Sequence, residues 1–193
     1  MPNVRLKSFL PFLLAFVLPL LLIYAWWGGF NPVQIEVARH GPYTYAYLEH
    51  TGDYAKLPDV QARVVRELQA QGIAPGQAIN VLYSNPDITP REQRRARTGF
   101  LLPAGAEVRE PLHLGHIPAR ETLVAQVRAA VLLAPSRAYL ALDRHMQAAG
   151  QGIRMPTVEI HTPSERFLTM GELRVEMPRT EADAALLARD MQP

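Results

Sequence analysis

The sequence predicts an α+β fold made of two strand–helix–strand–strand modules, on three observations. Two amphipathic helical stripes each end at a glycine, each is flanked by short runs of β-formers, and the helix ends echo each other as "LQAQG" and "MQAAG". Each module should lay its helix on one face of a small antiparallel sheet, giving a pseudo-two-fold sandwich preceded by one transmembrane helix. The expected boundaries are an anchor over 1–30, a domain over 31–178 with repeats at about 33–103 and 110–178, and a tail over 179–193.

The first element is apolar. The stretch "SFLPFLLAFVLPLLLIYAWWGGF" carries no charge, and its length matches the roughly 20 residues that a bilayer-spanning helix takes. Residues 9–27 are the expected membrane contact. Tyr24, Trp26 and Trp27 stand where an interfacial aromatic belt belongs, and Pro11 and Pro19 are compatible with a span. A cleaved signal peptide would want a shorter apolar core and small residues where "AWW" stands. Arg5 and Lys7 precede the run, and Arg39 is the first basic residue after it. The expectation is a single-pass protein of a bacterial inner membrane with its domain facing the periplasm.

After a linker at Gly28–Pro32, "VQIEVARH" and "YTYAYLEH" are strands around the Gly41–Pro42 turn. Leu57, Val60, Val64 and Leu68 then mark a helix with Pro58 in its first turn and Gly72 beyond its end. "AINVLYSNP" and "RARTGFLLP" complete the first module, and "PAGAEVREP" joins it to the second. There "LHLGHIPA" and "ETLVAQVRA" are strands, and Tyr139, Leu142 and Met146 form a helical stripe with Ser136 as N-cap and Gly150 as stop. "TVEIHT" and "RFLTMGELRVEM" are the closing strands, and Thr180 opens a short helix in the tail.

Composition removes several chemistries. A net charge of +2 over 193 residues does not point to nucleic acid, and the lack of cysteine excludes disulfides, thiol nucleophiles and cysteine–zinc sites. His113 and His116 fall on opposite faces of a strand, so no metal site is expected. No phosphate-binding loop, G-x-S-x-G elbow or Ser-His-Asp set is evident, and no cofactor is expected. The four arginines between Arg91 and Arg97 read as a solvated hairpin edge or as a contact for a protein partner or anionic headgroups.

The informative polar residue is Glu159, set between Val158 and Ile160. Alternation puts Val158 and Ile160 on one face, expected to meet the helix layer, and Thr157, Glu159 and His161 on the other. On pattern alone, a solvated face is the ordinary place for such a charge. Tyr43, Tyr45 and Tyr47 share one strand face with Glu49 and read either as ordinary packing or as an aromatic wall for a cation.

The segments "AYLEHTGDY", "INVLYSNP", "RTGFLLPAG", "IPARETLVAQV" and "PTVEIH" together resemble the GyrI-like small-molecule-binding family, over about Val33 to Met177. The resemblance implies two modules facing each other across a ligand cleft, as in effector-binding domains of multidrug-responsive regulators. It implies an acidic residue on the penultimate strand that contacts cationic ligands, which here is Glu159. His161 stands where relatives often carry an aromatic residue, and the apolar N-terminal run replaces their DNA-binding segment. The leading expectation is thus a membrane-tethered, non-catalytic module binding an apolar or cationic ligand through Glu159, His161, Tyr47 and Tyr83. Some relatives hydrolyse reactive cyclopropane compounds with a cleft glutamate, which makes a hydrolase using Glu159 one alternative. A membrane-anchored adaptor is the other.

Overall fold

The computed structural model describes residues 6–162 and 170–189. Helix α1 (Leu6–Trp26) is followed by strands β1 (Gln34–His40) and β2 (Tyr43–Thr51), helix α2 (Leu57–Ala70), and strands β3 (Ala78–Leu82) and β4 (Arg95–Leu102). The second module runs β5 (His113–Ile117), β6 (Arg120–Ala129), α3 (Ala134–Gln147), β7 (Thr157–Thr162) and β8 (Gly171–Pro178), and α4 (Glu181–Arg189) follows. The order strand, strand, helix, strand, strand thus occurs twice, as the sequence predicts.

All eight strands form one antiparallel sheet in the order β1-β6-β8-β7-β3-β4-β2-β5. The modules join at its centre, where β3 pairs with β7. Each module sends its leading strand to the other: β1 pairs with β6, and β5 pairs with β2. The turn expected at Gly41–Pro42 therefore does not close a hairpin. It carries the chain from one edge half of the sheet to the other, a partnering that no local pattern specifies.

Local signals account for the helices. In α2, Leu57, Val64 and Leu68 are buried, and the stripe packs on Ala46, Leu48 and Leu102. In α3, Ala138, Leu142 and Met146 pack on Leu123, Ala125, Val127, Leu173, Val175 and Met177. Ser136 is not the N-cap of α3. The helix starts earlier, at Ala134 after Leu133, and the Ser136 hydroxyl donates to the Leu133 carbonyl (3.0 Å). Thr180 does cap α4, its Oγ1 accepting from the Asp183 amide (3.1 Å) while Asp183 Oδ2 takes the Thr180 hydroxyl (2.7 Å). The closing strand begins at Gly171; the part of its expected span over 166–169 lies outside the described residues.

The two faces of the sheet are covered differently. Helices α2 and α3 lie on one face. On the other, Tyr45, Tyr47, Ile79, Val81, Val158 and Ile160 form a cluster that Leu187 of α4 joins. This inverts the expectation for β7. Val158 and Ile160 point away from α2 and α3, and Glu159 shares the helix-bearing face with its pairing partners Asn80 and Val175. Both faces of the central strands are buried, so hydrophobic alternation there does not reveal which side carries the helices.

Among the described residues no helix is long and apolar enough to cross a membrane. The described apolar side chains from Leu13 to Trp27 are exposed.

Strand β4 passes very close to β2 at Gly99, where a Cβ atom would overlap the Ala46 carbonyl oxygen. Relief would need backbone movement in two paired strands. Gly99→Ala should therefore cost about 3 kcal/mol or more, the upper range for overpacking, as a lowered midpoint in chemical denaturation.

Candidate functional site

A cleft of about 940 Å³ lies over the centre of the sheet, between α2 and α3. That volume is at the upper end of the range for drug-sized ligands, about 300–1,000 Å³. Its walls are mostly apolar: Leu57 and Pro58 from α2, Tyr139 and Leu140 from α3, and Phe100, Leu173, Ile153 and Met155 from the sheet and loops. Its polar floor is Asn80 on β3 and Glu159 and His161 on β7.

The floor is a hydrogen-bonded chain. The Asn80 carbonyl oxygen accepts from Thr98 Oγ1 (2.6 Å) and from Gln61 Nε2 of α2 (2.9 Å). These two bonds fix the amide so that Asn80 Nδ2 donates to Glu159 Oε2 (3.0 Å). The Glu159 residue is only 5% exposed, and His161 Nε2 lies 3.5 Å from the same carboxylate oxygen. Tyr139 meets Thr157 Oγ1 at 2.7 Å. Its hydroxyl is held well above the ordinary phenol range by burial first, then by the Glu159 charge and its hydrogen bond with Glu159. Tyr54, at the α2 side, donates to the Ser84 and Arg95 carbonyls (3.0 and 2.9 Å), and burial also raises its pKa.

Among the described residues, four carboxylates, those of Asp87, Asp143, Glu159 and Glu172, line the cleft against one guanidinium, that of Arg94. Arg94 is turned to its own loop, donating to the Thr89 and Pro86 carbonyls (3.0 and 2.7 Å).

The structure brings Glu159 and His161 together at the floor but puts Tyr47 and Tyr83 elsewhere. Tyr47 stands on the opposite face, where the Arg97 guanidinium lies 4.6 Å from its ring centroid and 5.8 Å from that of Tyr83. Neither tyrosine lines the cleft. The aromatic neighbours of Glu159 are instead on the helix-bearing side, Tyr139 and Tyr54. The tyrosine triplet on β2 does share one face, ending with Tyr43 at Glu176. The arginine run is not a hairpin edge, because β4 is interior to the sheet. Arg97 is buried beside Glu49 (3.4 Å) and Arg94 is tied down, so only Arg91 and Arg95 of the four are exposed. His113 stacks on Tyr47 and His116 meets Thr44 Oγ1, on opposite faces of β5, and the described residues contain no metal-binding cluster.

Asn80, Tyr54 and Tyr139 were not among the sequence candidates. One signal did point to Asn80: it is the polar residue between β-formers in "INVLY", as Glu159 is in "TVEIH". The register sets these two symmetry-related positions opposite each other. Tyr139 was visible only as part of a helical stripe.

Comparison with known proteins agrees with this geometry. The family model described as the GyrI-like small molecule binding domain matches residues 34–133. The crystal structure of the EcmrR C-terminal domain is similar at a TM-score of 0.59 and 10% identity, over 76% of this chain and 96% of that one. EcmrR in its cryo-EM complex with DNA gives 0.59 and 10%, over 84% of this chain and 64% of that one. SAV2435 bound to tetraphenylphosphonium gives 0.52 and 9%, over 77% and 96%. No curated protein sequence matches. The chain belongs to the GyrI-like small-molecule-binding family.

Two predictions test the polar floor and its counterpart across the sheet. Asn80→Ala leaves Thr98, Gln61 and Glu159 each short of a partner and should cost about 1–3 kcal/mol in urea denaturation. On the other face, burial, the Glu176 hydrogen bond and the Glu176 charge push the Tyr43 pKa up to about 12. The unfolded phenol releases its proton near 10 while the folded one retains it, so this stability is whole below pH ~10 and is lost as pH rises toward ~12. Alkaline melts should show that loss, and Tyr43→Phe should flatten it.

Proposed function

We propose that the chain is an effector-binding module whose cleft takes an apolar cation, with Glu159 as counter-charge and His161 at its side. The observation that carries this reading is a buried carboxylate on the floor of an apolar cleft with, among the described residues, no lysine or arginine beside it. Among the described residues its neighbours are Asn80, His161 and Tyr139. A buried carboxylate gains most from a cation when its own neighbours leave its charge uncompensated. The tetraphenylphosphonium bound to SAV2435 is a ligand of the class that this chemistry would accept, apolar over its surface and positive at its centre. Tyr139, Tyr54 and Phe100 supply aromatic surface for it.

The module is also read as tethered. Its support is the uncharged run over residues 8–30, most of which falls in α1 (Leu6–Trp26), a helix of 21 residues and about 31 Å, close to the hydrocarbon thickness of a bilayer. Residues 9–27 would span a bacterial inner membrane and leave the domain on the periplasmic side. On this reading the full chain stays in the membrane pellet through carbonate extraction, and release into the supernatant counts against it.

Calorimetric titration with tetraphenylphosphonium tests the cleft. Glu159→Gln preserves the shape and an acceptor for Asn80 while removing the charge. It should weaken the cation by about 1–3 kcal/mol, the range for hydrogen bonds to charged groups and their loss. Binding of a neutral compound of similar size should hardly change. Equal losses for both would make Glu159 a structural residue instead.

A further inference from the structure

We infer that the loop following β6, with Val131 and Leu132 at its tip, seats in the lipid interface beside the end of α1, so that the cleft opens at the bilayer surface. This rests on the tethered reading above and adds an orientation to it.

The junction between α1 and the domain is a fixed corner rather than a free linker. The Trp27 carbonyl accepts from the Ala130 amide (2.9 Å), and Asn31 Nδ2 donates to the Arg128 carbonyl (2.6 Å). Arg137 of α3 donates to the Asn31 carbonyl and to the Tyr24 hydroxyl (3.4 Å). Gly28 turns the chain at φ +75°, where a Cβ would meet Met170 Sδ and the Arg128 carbonyl. The end of α1 is thus bonded to both sides of the loop that carries Val131 and Leu132.

That loop exposes two adjacent aliphatic side chains, Val131 at 66% and Leu132 at 82%, and both line the cleft. Around the same corner Trp26 and Phe30 are exposed, as is Arg128. Aromatic rings and a cation at the end of an apolar helix are the composition of a membrane interface, where rings sit at headgroup level and a guanidinium meets phosphate. In water the aliphatic pair would be an unfavourable exposed patch; in the interface it is solvated. The strand ends nearest the corner, at Ala129, Thr162 and Gly171, line the same cleft, whereas Asn85, Asp87 and Arg94 line its other end. The end of the cleft that carries Val131 and Leu132 therefore faces the side from which α1 arrives. A lipophilic cation concentrated in the headgroup layer could enter there without crossing the aqueous phase.

The sequence lacks cysteine, so one introduced thiol gives one label. Full-length Leu132→Cys, carrying an environment-sensitive nitrobenzoxadiazole, is reconstituted into phosphatidylethanolamine–phosphatidylglycerol vesicles. A second chain carries the label at Ile88, equally exposed but in the loop beyond the opposite end of β3. The expected result is a blue-shifted label at 132 that loses most of its emission to lipids with a nitroxide near the headgroup, and an unshifted, unquenched label at 88. A chain that floats with the vesicles while its label at 132 behaves like that at 88 overturns this inference and leaves the tether standing. A chain that does not float overturns the tether, and the inference with it.

Discussion

The antiparallel pairing of β3 with β7 is the constraint on which the rest depends. Among the described strands it is the one pairing that joins the two halves of the sheet, since the exchanged strands β1 and β5 sit at the outer edges. Its register places Asn80 opposite Glu159. A slip of β3 by one residue would turn Asn80 to the other face and put an aliphatic side chain in its place on the floor. The hydrogen bonds from Thr98 and Gln61 to Asn80 oppose such a slip, because each would be left unsatisfied in a buried place. The same bonds tie α2 to the sheet, so the wall and the floor of the cleft are positioned together.

Two buried glutamates show how neighbours decide a carboxylate's role. Glu176 is fully buried on the face away from α2 and α3, and accepts from Tyr43 (2.6 Å), Arg174 (3.1 Å) and Arg120 (3.1 Å). Two guanidiniums surround it, so its charge is spent within the fold, holding β2, β6 and β8 together. Glu159 is nearly as buried, but among the described residues its neighbours are an amide, a phenol and an imidazole. Its charge is oriented rather than neutralised. The sheet thus separates a structural anion on one face from an anion on the other that is available to something in the cleft.

The exchange of leading strands has a consequence for the cleft. Because β1 completes the edge next to β6, and β5 the edge next to β2, each module is laterally covered by a strand of the other. The cleft is then framed by α2 and α3 over a sheet that extends beyond both helices. Opening it by separating the helices need not break any strand pair.

The sequence by itself determined the module order, the α2 stripe, the glycine stops, the Thr180 cap and the family. These depend on local periodicity, capping chemistry and short-range spacing, all of which are written in adjacent residues. It also singled out Glu159 and His161, because a charge between two β-branched residues is locally anomalous. The structure alone decided which face Glu159 occupies. Val158 and Ile160 satisfy alternation equally well under α2 and α3 or against α4, since the central strands are buried on both sides. It also decided that Tyr47 and Tyr83 belong with Arg97 and not with Glu159, and that Tyr139, Tyr54 and Asn80 complete the site. Those residues lie 20 to 105 positions from Glu159 in the chain; the pairing of β3 with β7 brings Asn80 and Tyr54 to it, and the packing of α3 on β6 and β8 brings Tyr139.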